Sequence, residues 1–151
     1  MKSKVLKVSL LLSLMALLAV SCSNDQDDNS GNNFKITVSL NNVNATDDFV
    51  SVAVAGQNAS GNVYPMWKVN SQEKPATQTV SLGDTDFTGS TTTYIIETVN
   101  PIDVMVVGIQ LINYGNDMTG SLKIERNGNT VVNEIISLVS DNKDFTEDYS
   151  F

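Results

Sequence analysis

"FKITVSL" (residues 34–40) is the stretch whose reading decides the fold. Phe34, Ile36, Val38 and Leu40 alternate with Lys35, Thr37 and Ser39. A period of two sets the apolar side chains on one face of an extended strand and the polar ones on the other. A helix would scatter the same residues around its axis, so the spacing predicts a strand with one wet face.

The same reading extends outward from it. "FVSVAVAG" (49–56) and "IDVMVVGIQLIN" (102–113) are Val-rich and more continuously apolar, which predicts central strands with both faces at least partly covered. Between them, "VYPMWKV" (63–69), "TQTVSL" (77–82) and "TTTYIIET" (91–98) are short, β-rich and bounded by Gly, Asn, Pro or Asp. In "SLKIERNGNTVV" (121–132), Asn127-Gly128 between two strand-like arms is a strong hairpin signal. Residues 133–139 continue that arm after a bulge or form another strand, and "FTEDYSF" (145–151) closes the chain. No 3.6-residue apolar stripe is sustained anywhere in this region. About eight or nine short strands with turn signals between them predict an all-β fold: an antiparallel β-sandwich, Ig-like or jelly-roll-like.

If successive strands alternate in direction, parity sorts the connections onto two poles. The loops at 56–62, 83–90, 113–120 and 140–143 then share the pole where Phe34 enters. Those at 41–48, 70–77 and 99–101 and the Asn127-Gly128 turn share the other. One miscounted strand would reverse every later assignment.

Ahead of this domain, Lys2, Lys4 and Lys7 precede an uncharged apolar run from Val8 to Val20. That is the pattern of a signal peptide, and it falls short of the roughly 20 residues a membrane-spanning helix needs. Small side chains at Ala19 and Ser21 place the cut before Cys22, the only cysteine. The segment ending in Cys22 resembles the lipobox of bacterial lipoproteins, with Ala19 where the usual pattern has Leu and Leu18 one position early. The resemblance implies a diacylglyceryl thioether and an acylated amine on Cys22, and so a membrane anchor without a span. A lone thiol also has no partner for an internal disulfide. The acidic, non-apolar stretch "SNDQDDNSGNN" (23–33) reads as a flexible tether with an r.m.s. reach of roughly 20 Å. It resembles the surface-export signal of Bacteroidota lipoproteins, which implies an outer-membrane, cell-surface location. The chain thus divides into a leader (1–21), a lipidated cysteine and tether (22–33), and a β-sandwich domain (34–151).

Composition narrows the chemistry. With 17 acidic against nine basic residues the chain carries a net charge of −8, more negative still without the leader lysines, so nucleic acid is a poor partner. There is no histidine, which removes His-based triads and the usual zinc sets. Glu97 and Asp103, flanking Pro101, are the least ordinary acids for a glycosidase-like pair, although solvated strand ends explain them as well. Asp84, Asp86, Asn116, Asp117 and Asp141 fall at one pole by parity and offer hard oxygen ligands for calcium, without EF-hand spacing. Tyr64 and Trp67 could stack on a ligand, but residues three apart in a strand face opposite ways, so one of them, Trp67 by preference, belongs to the core. Asn44 and Asn58 stand in glycosylation-like triplets and read as turn residues.

The expectation for function is a non-catalytic surface module that binds a glycan or a protein, or supports an envelope assembly, through its loops or an edge strand. An accessory subunit docked on an outer-membrane transport or secretion complex is the first alternative. A small hydrolase is the second.

Overall fold

The structure, a computed structural model, describes residues 31–58, 66–139 and 143–151. Among them, ten strands form two antiparallel sheets with a core between, the sandwich that the alternation predicts. The strands are β1 (Phe34–Asn41), β2 (Phe49–Gln57), β3 (Trp67–Val69), β4 (Gln72–Glu73), β5 (Thr79–Gly83), β6 (Thr93–Thr98), β7 (Val104–Asn113), β8 (Met118–Arg126), β9 (Asn129–Leu138) and β10 (Lys143–Ser150). The larger sheet has the order β4-β3-β6-β1-β8-β9, and the smaller β10-β7-β2-β5.

β1 lies inside the larger sheet, with Ile36 opposite Ile96 of β6 on one side and Ile124 of β8 on the other. Its apolar residues are withdrawn from water. They face Val52, Val54, Val107, Ile109 and Leu111 of the smaller sheet's inner face within one hydrophobic cluster. β2 and β7 are central strands, as their Val-rich runs predict, and pair from Phe49–Ile112 to Gln57–Val104. Burial alternates along both. Asn127 and Gly128 turn the β8–β9 hairpin with φ of 51° and 80°, the left-handed pair a two-residue hairpin turn favours. β9 continues through 133–138 after a register shift, as the bulge reading expects.

Three sequence expectations need correction. The strand count is ten rather than eight or nine, because β3 turns back after three residues into the two-residue β4. Those two pairs are too short to show as a strand-length run. The uncounted reversal flips the parity of everything after it. The 84–88 and 113–118 connections therefore lie at the pole away from Phe34, as do Leu138 and Lys143, whereas 99–103 and the Asn127-Gly128 turn lie beside it. Finally, the last residues assigned to the tether are part of the folded body. Asn32 exchanges backbone hydrogen bonds with Ile102, at 2.7 and 2.9 Å, and the Asn33 amide donates to the Asn127 side chain. The C-terminal Phe151 ends at this entry pole, its ring centroid 5.8 Å from that of Phe34.

The two outer faces differ. Across the larger sheet, Glu73, Lys68, Glu97, Lys35 and Glu125 are cross-strand neighbours in one row of alternating sign. Its closest described pair, Lys35–Glu97 at 3.8 Å, is solvated and contributes at most about 1 kcal/mol. The outward positions of β2, β5 and β7 carry no charge.

Gly56 makes the core's largest side chain possible. A Cβ there would lie 2.7 Å from the Trp67 ring and 2.8 Å from the Ile102 side chain. Gly56→Ala is therefore expected to destabilise the fold by about 1–3 kcal/mol through overpacking, and Trp67→Ala by about 3–5 kcal/mol through the cavity it leaves. Urea unfolding monitored by circular dichroism measures both.

Candidate functional site at the distal pole

The pole opposite the chain entry is built from the β1–β2 loop, the β7–β8 turn and the segment after β5. Two buried polar side chains hold these pieces together. Asp48 accepts hydrogen bonds from the Asn44 amide (2.9 Å) on one carboxylate oxygen and from the Tyr114 amide (3.1 Å) on the other. It thereby ties the β1–β2 loop to the β7–β8 turn. Asn113, fully buried, donates to the Leu138 carbonyl (2.7 Å) and accepts from the Gly115 amide (2.8 Å), which ties the same turn to the end of β9. The Asn42 side chain donates to the Asp117 carbonyl, closing the join between β1 and β8. No buried side-chain nitrogen or oxygen among the described residues lacks a partner.

Asn44 organises the loop. Its side-chain oxygen accepts from the Thr46 amide, its side-chain nitrogen donates to Asp47, and its carbonyl accepts from the Asp47 and Asp48 amides. This is the local turn chemistry that asparagine supplies, in keeping with the turn reading of Asn44.

Over this framework opens a hollow of about 700 Å³ lined by Asn42, Val43, Asn44, Ala45, Thr46, Thr88 and Asn116. Its walls present amides, hydroxyls and small apolar groups, with no charged side chain. Phe49 and Tyr114, each roughly half exposed, stand at the same pole and are its uncovered aromatic rings among the described residues. Sequence reasoning missed both. Phe49 begins a strand and reads as core, and Tyr114 sits in a turn without a repeating pattern to mark it.

The residues singled out from sequence fare differently. Trp67 is wholly buried, with its indole N–H donating to the Gln78 carbonyl at 3.1 Å, so it is a core residue and no ligand platform. Tyr64 and Asp141 lie outside the described residues, as does Cys22. Glu97 lies on the charged row and lines a hollow of about 430 Å³ with Lys35, Lys68 and Glu125, which Asp103 does not line. Asp103 follows Ile102 at the entry pole, its amide donating to Gln57. The two acids thus do not flank one cleft.

Asp84, Asp86, Asn116 and Asp117 do share a pole, although it is the distal one. Asp84 and Asp86 lie in a 3₁₀ turn (Asp84–Phe87) that their carboxylates brace by accepting from the Thr85 and Gly83 amides, at 2.6 and 2.7 Å. Among the described residues no three acidic side chains come close enough together to hold a metal ion. Beside the turn, Phe87 and Tyr94 meet edge to face at 5.1 Å, and the Tyr94 hydroxyl donates to the Asp86 carbonyl. Burial of the phenol, and secondarily the Asp86 carboxylate, push the Tyr94 pKa above its ordinary value.

No family model and no curated protein sequence matches the chain. Solved structures do match in fold. A DUF4425 family protein from Bacteroides ovatus aligns at 12% identity over 80% of this chain and 94% of that one, with a TM-score of 0.58. A second DUF4425 domain, from Bacteroides vulgatus, aligns at 13% identity over 81% and 94%, also at 0.58. The calcium-bound form of a protein from Parabacteroides distasonis aligns at 12% identity over 80% and 93%, at 0.57. At these identities the likeness is one of fold.

Two outcomes follow from the pole's construction. Asp48→Ala removes a carboxylate holding two backbone amides and is expected to cost about 2–4 kcal/mol, measurable by denaturant unfolding. Tyr94 should ionise above the ordinary tyrosine range in an ultraviolet absorbance titration of wild type against Tyr94→Phe. Because its pKa is raised in the folded state, the stability it contributes is complete below the unfolded-state pKa near 10 and is lost as pH rises through the folded value.

Proposed function

We infer that the chain is a lipid-anchored envelope module that binds a neutral glycan at the pole opposite its anchor. The observation that carries this reading is polarity along the strands. The chain enters at Asn32 beside Ile102, and the uncharged amide-and-hydroxyl hollow opens at the far end of the same strands. Anchorage at Cys22 through the acidic stretch would hold the entry pole toward the membrane and present the hollow outward. Amides and hydroxyls match the donor and acceptor pattern of sugar hydroxyls, and the exposed rings of Phe49 and Tyr114 offer flat apolar faces at the same pole. Absence of histidine favours binding without turnover. Bacteroidales neighbours in fold fit an envelope setting of this kind.

Binding to an array of neutral glycans should fall about tenfold or more on Asn116→Ala combined with Thr46→Ala, a loss of roughly 1.4 kcal/mol, while the melting temperature holds. Retention of full binding by that variant would move the ligand elsewhere on the molecule. Mass spectrometry of the membrane-extracted protein should show a mature start at Cys22 carrying lipid. Protease treatment of intact cells should remove the domain if it faces outward. Calcium enters through the neighbour that holds it. Since the described acids form no cage, melting temperature is expected to be equal in calcium and in chelator. A rise of several degrees with calcium, abolished by Asp141→Asn, would instead assign the ion to the distal pole.

A further inference from the structure

We propose that the outer face of the smaller sheet is the interface of a symmetric homodimer whose two-fold axis runs along the strands. The outward positions are fixed by register. On β7 they are Val104, Val106, Gly108, Gln110 and Ile112, and on β2 Phe49, Ser51, Ala53, Ala55 and Gln57. On β5 they are Thr79, Ser81 and Gly83. None is charged, in a chain of net charge −8 whose other outer face carries the row of alternating lysines and glutamates. Val104, Val106 and Phe49 are each more than two-fifths exposed on this one face. Depletion of charge with retained apolar side chains is the composition of an interface core rather than of a solvated sheet face.

The occupant is identified by the pattern within the face. A two-fold axis parallel to the strands, between β7 and β2, lays the β7 of each copy over the β2 of the other and keeps every cross-strand row in step. In the middle rows larger residues then meet smaller ones, and at the distal end Phe49 meets Ile112 of the second copy. Val106 faces Ala55 of the second copy and Gln110 faces Ser51, both read from shared rows. On the edges, β10 of one copy lies over β5 of the other. The outward acids of β10, Asp144 and Asp148, then avoid their counterparts in the other copy: Asp148 is in the row of Gly108, Ala53 and Ser81, so it faces the Ser81 hydroxyl, a hydrogen-bond donor, and Asp144, in the row of Ile112 and Phe49, lies past the Gly83 end of β5. Asp148 already leans inward over the sheet, since a Cβ on Gly108 would stand 2.9 Å from its carboxylate. An axis across the strands would instead stack β10 on β10, carboxylates together, and is disfavoured by charge.

The area suits weak association. β2 and β7 overlap over nine rows and β5 with β10 over five, which at about 3.4 Å rise and about 4.8 Å spacing gives a footprint of roughly 450 Å² per copy. The total of roughly 900 Å² lies below the ~1,200–2,000 Å² of stable complexes, in the range of transient ones. The same axis leaves both chains entering at one pole, as two copies anchored in one membrane would require. Association covers the Phe49 ring, but none of the residues lining the distal hollow belongs to this face, so the Asn116→Ala with Thr46→Ala variant reads the glycan site and not the interface.

Sedimentation velocity of the full chain in reducing buffer tests the proposal. The expected result is a shift from one to two chains per particle between micromolar and low-millimolar concentration. Ala53→Arg and Val106→Lys, each checked for an unchanged circular dichroism melt, should each weaken association about tenfold or more. Thr37→Arg, on the outer face of the larger sheet, should leave it unaltered. A particle that stays monomeric throughout overturns the proposal. So does association that survives both Ala53→Arg and Val106→Lys but is lost with Ile135→Lys, which would place the contact on the exposed β9 edge.

Discussion

The fold depends on one constraint: Phe34, Ile36, Val38 and Leu40 must leave water together. Because they alternate, a single extended strand buries all four against one surface, and their polar partners stay wet. β1 thereby becomes the reference for its sheet. β6 and β8 register against it, β3 and β9 register against those, and a one-residue slip would send its whole apolar set to solvent. The smaller sheet is coupled to it through packing rather than through shared backbone hydrogen bonds. Close fit between the two inner faces, at places such as Gly56 under Trp67, therefore matters as much as the pattern within either sheet.

Much of this was legible in the residues. Long strands announce themselves by alternation or by Val-rich runs, and Asn127-Gly128 announces a turn because only certain residues tolerate left-handed backbone at low cost. What could not be read were features that exist only as tertiary pairings. β3 and β4 are held by their neighbour rather than by local propensity, so the reversal they introduce was hidden, and with it the pole of every later loop. Asn32 and Asn33 are polar and look like linker until Ile102 and Asn127 are brought beside them.

The candidate site shows the same division. Shared placement of Asp84, Asp86, Asn116 and Asp117 at one pole survived the parity error, because all four lie beyond it and moved together. Asp48 and Asn113 were invisible as organisers. Short polar side chains near turns are common, and only burial turns a local hydrogen bond into a fastening between segments 66 residues apart, as between Asp48 and Tyr114. Charge gave little help, since no described carboxylate is grouped in threes. The informative surface feature was the place where charge is missing.

The bridge between Asn32 and Ile102 has a mechanical side. A pull on the chain ahead of Asn32 is delivered into β1, which lies between β6 and β8 and runs antiparallel to both. Load directed along that strand is carried by two hydrogen-bonded ladders in shear, many bonds at once, instead of being peeled from an edge one bond at a time. The domain is thus loaded at a strand that is hydrogen-bonded on both sides. The short strands β3 and β4 and the edge strand β10 lie away from the line of tension.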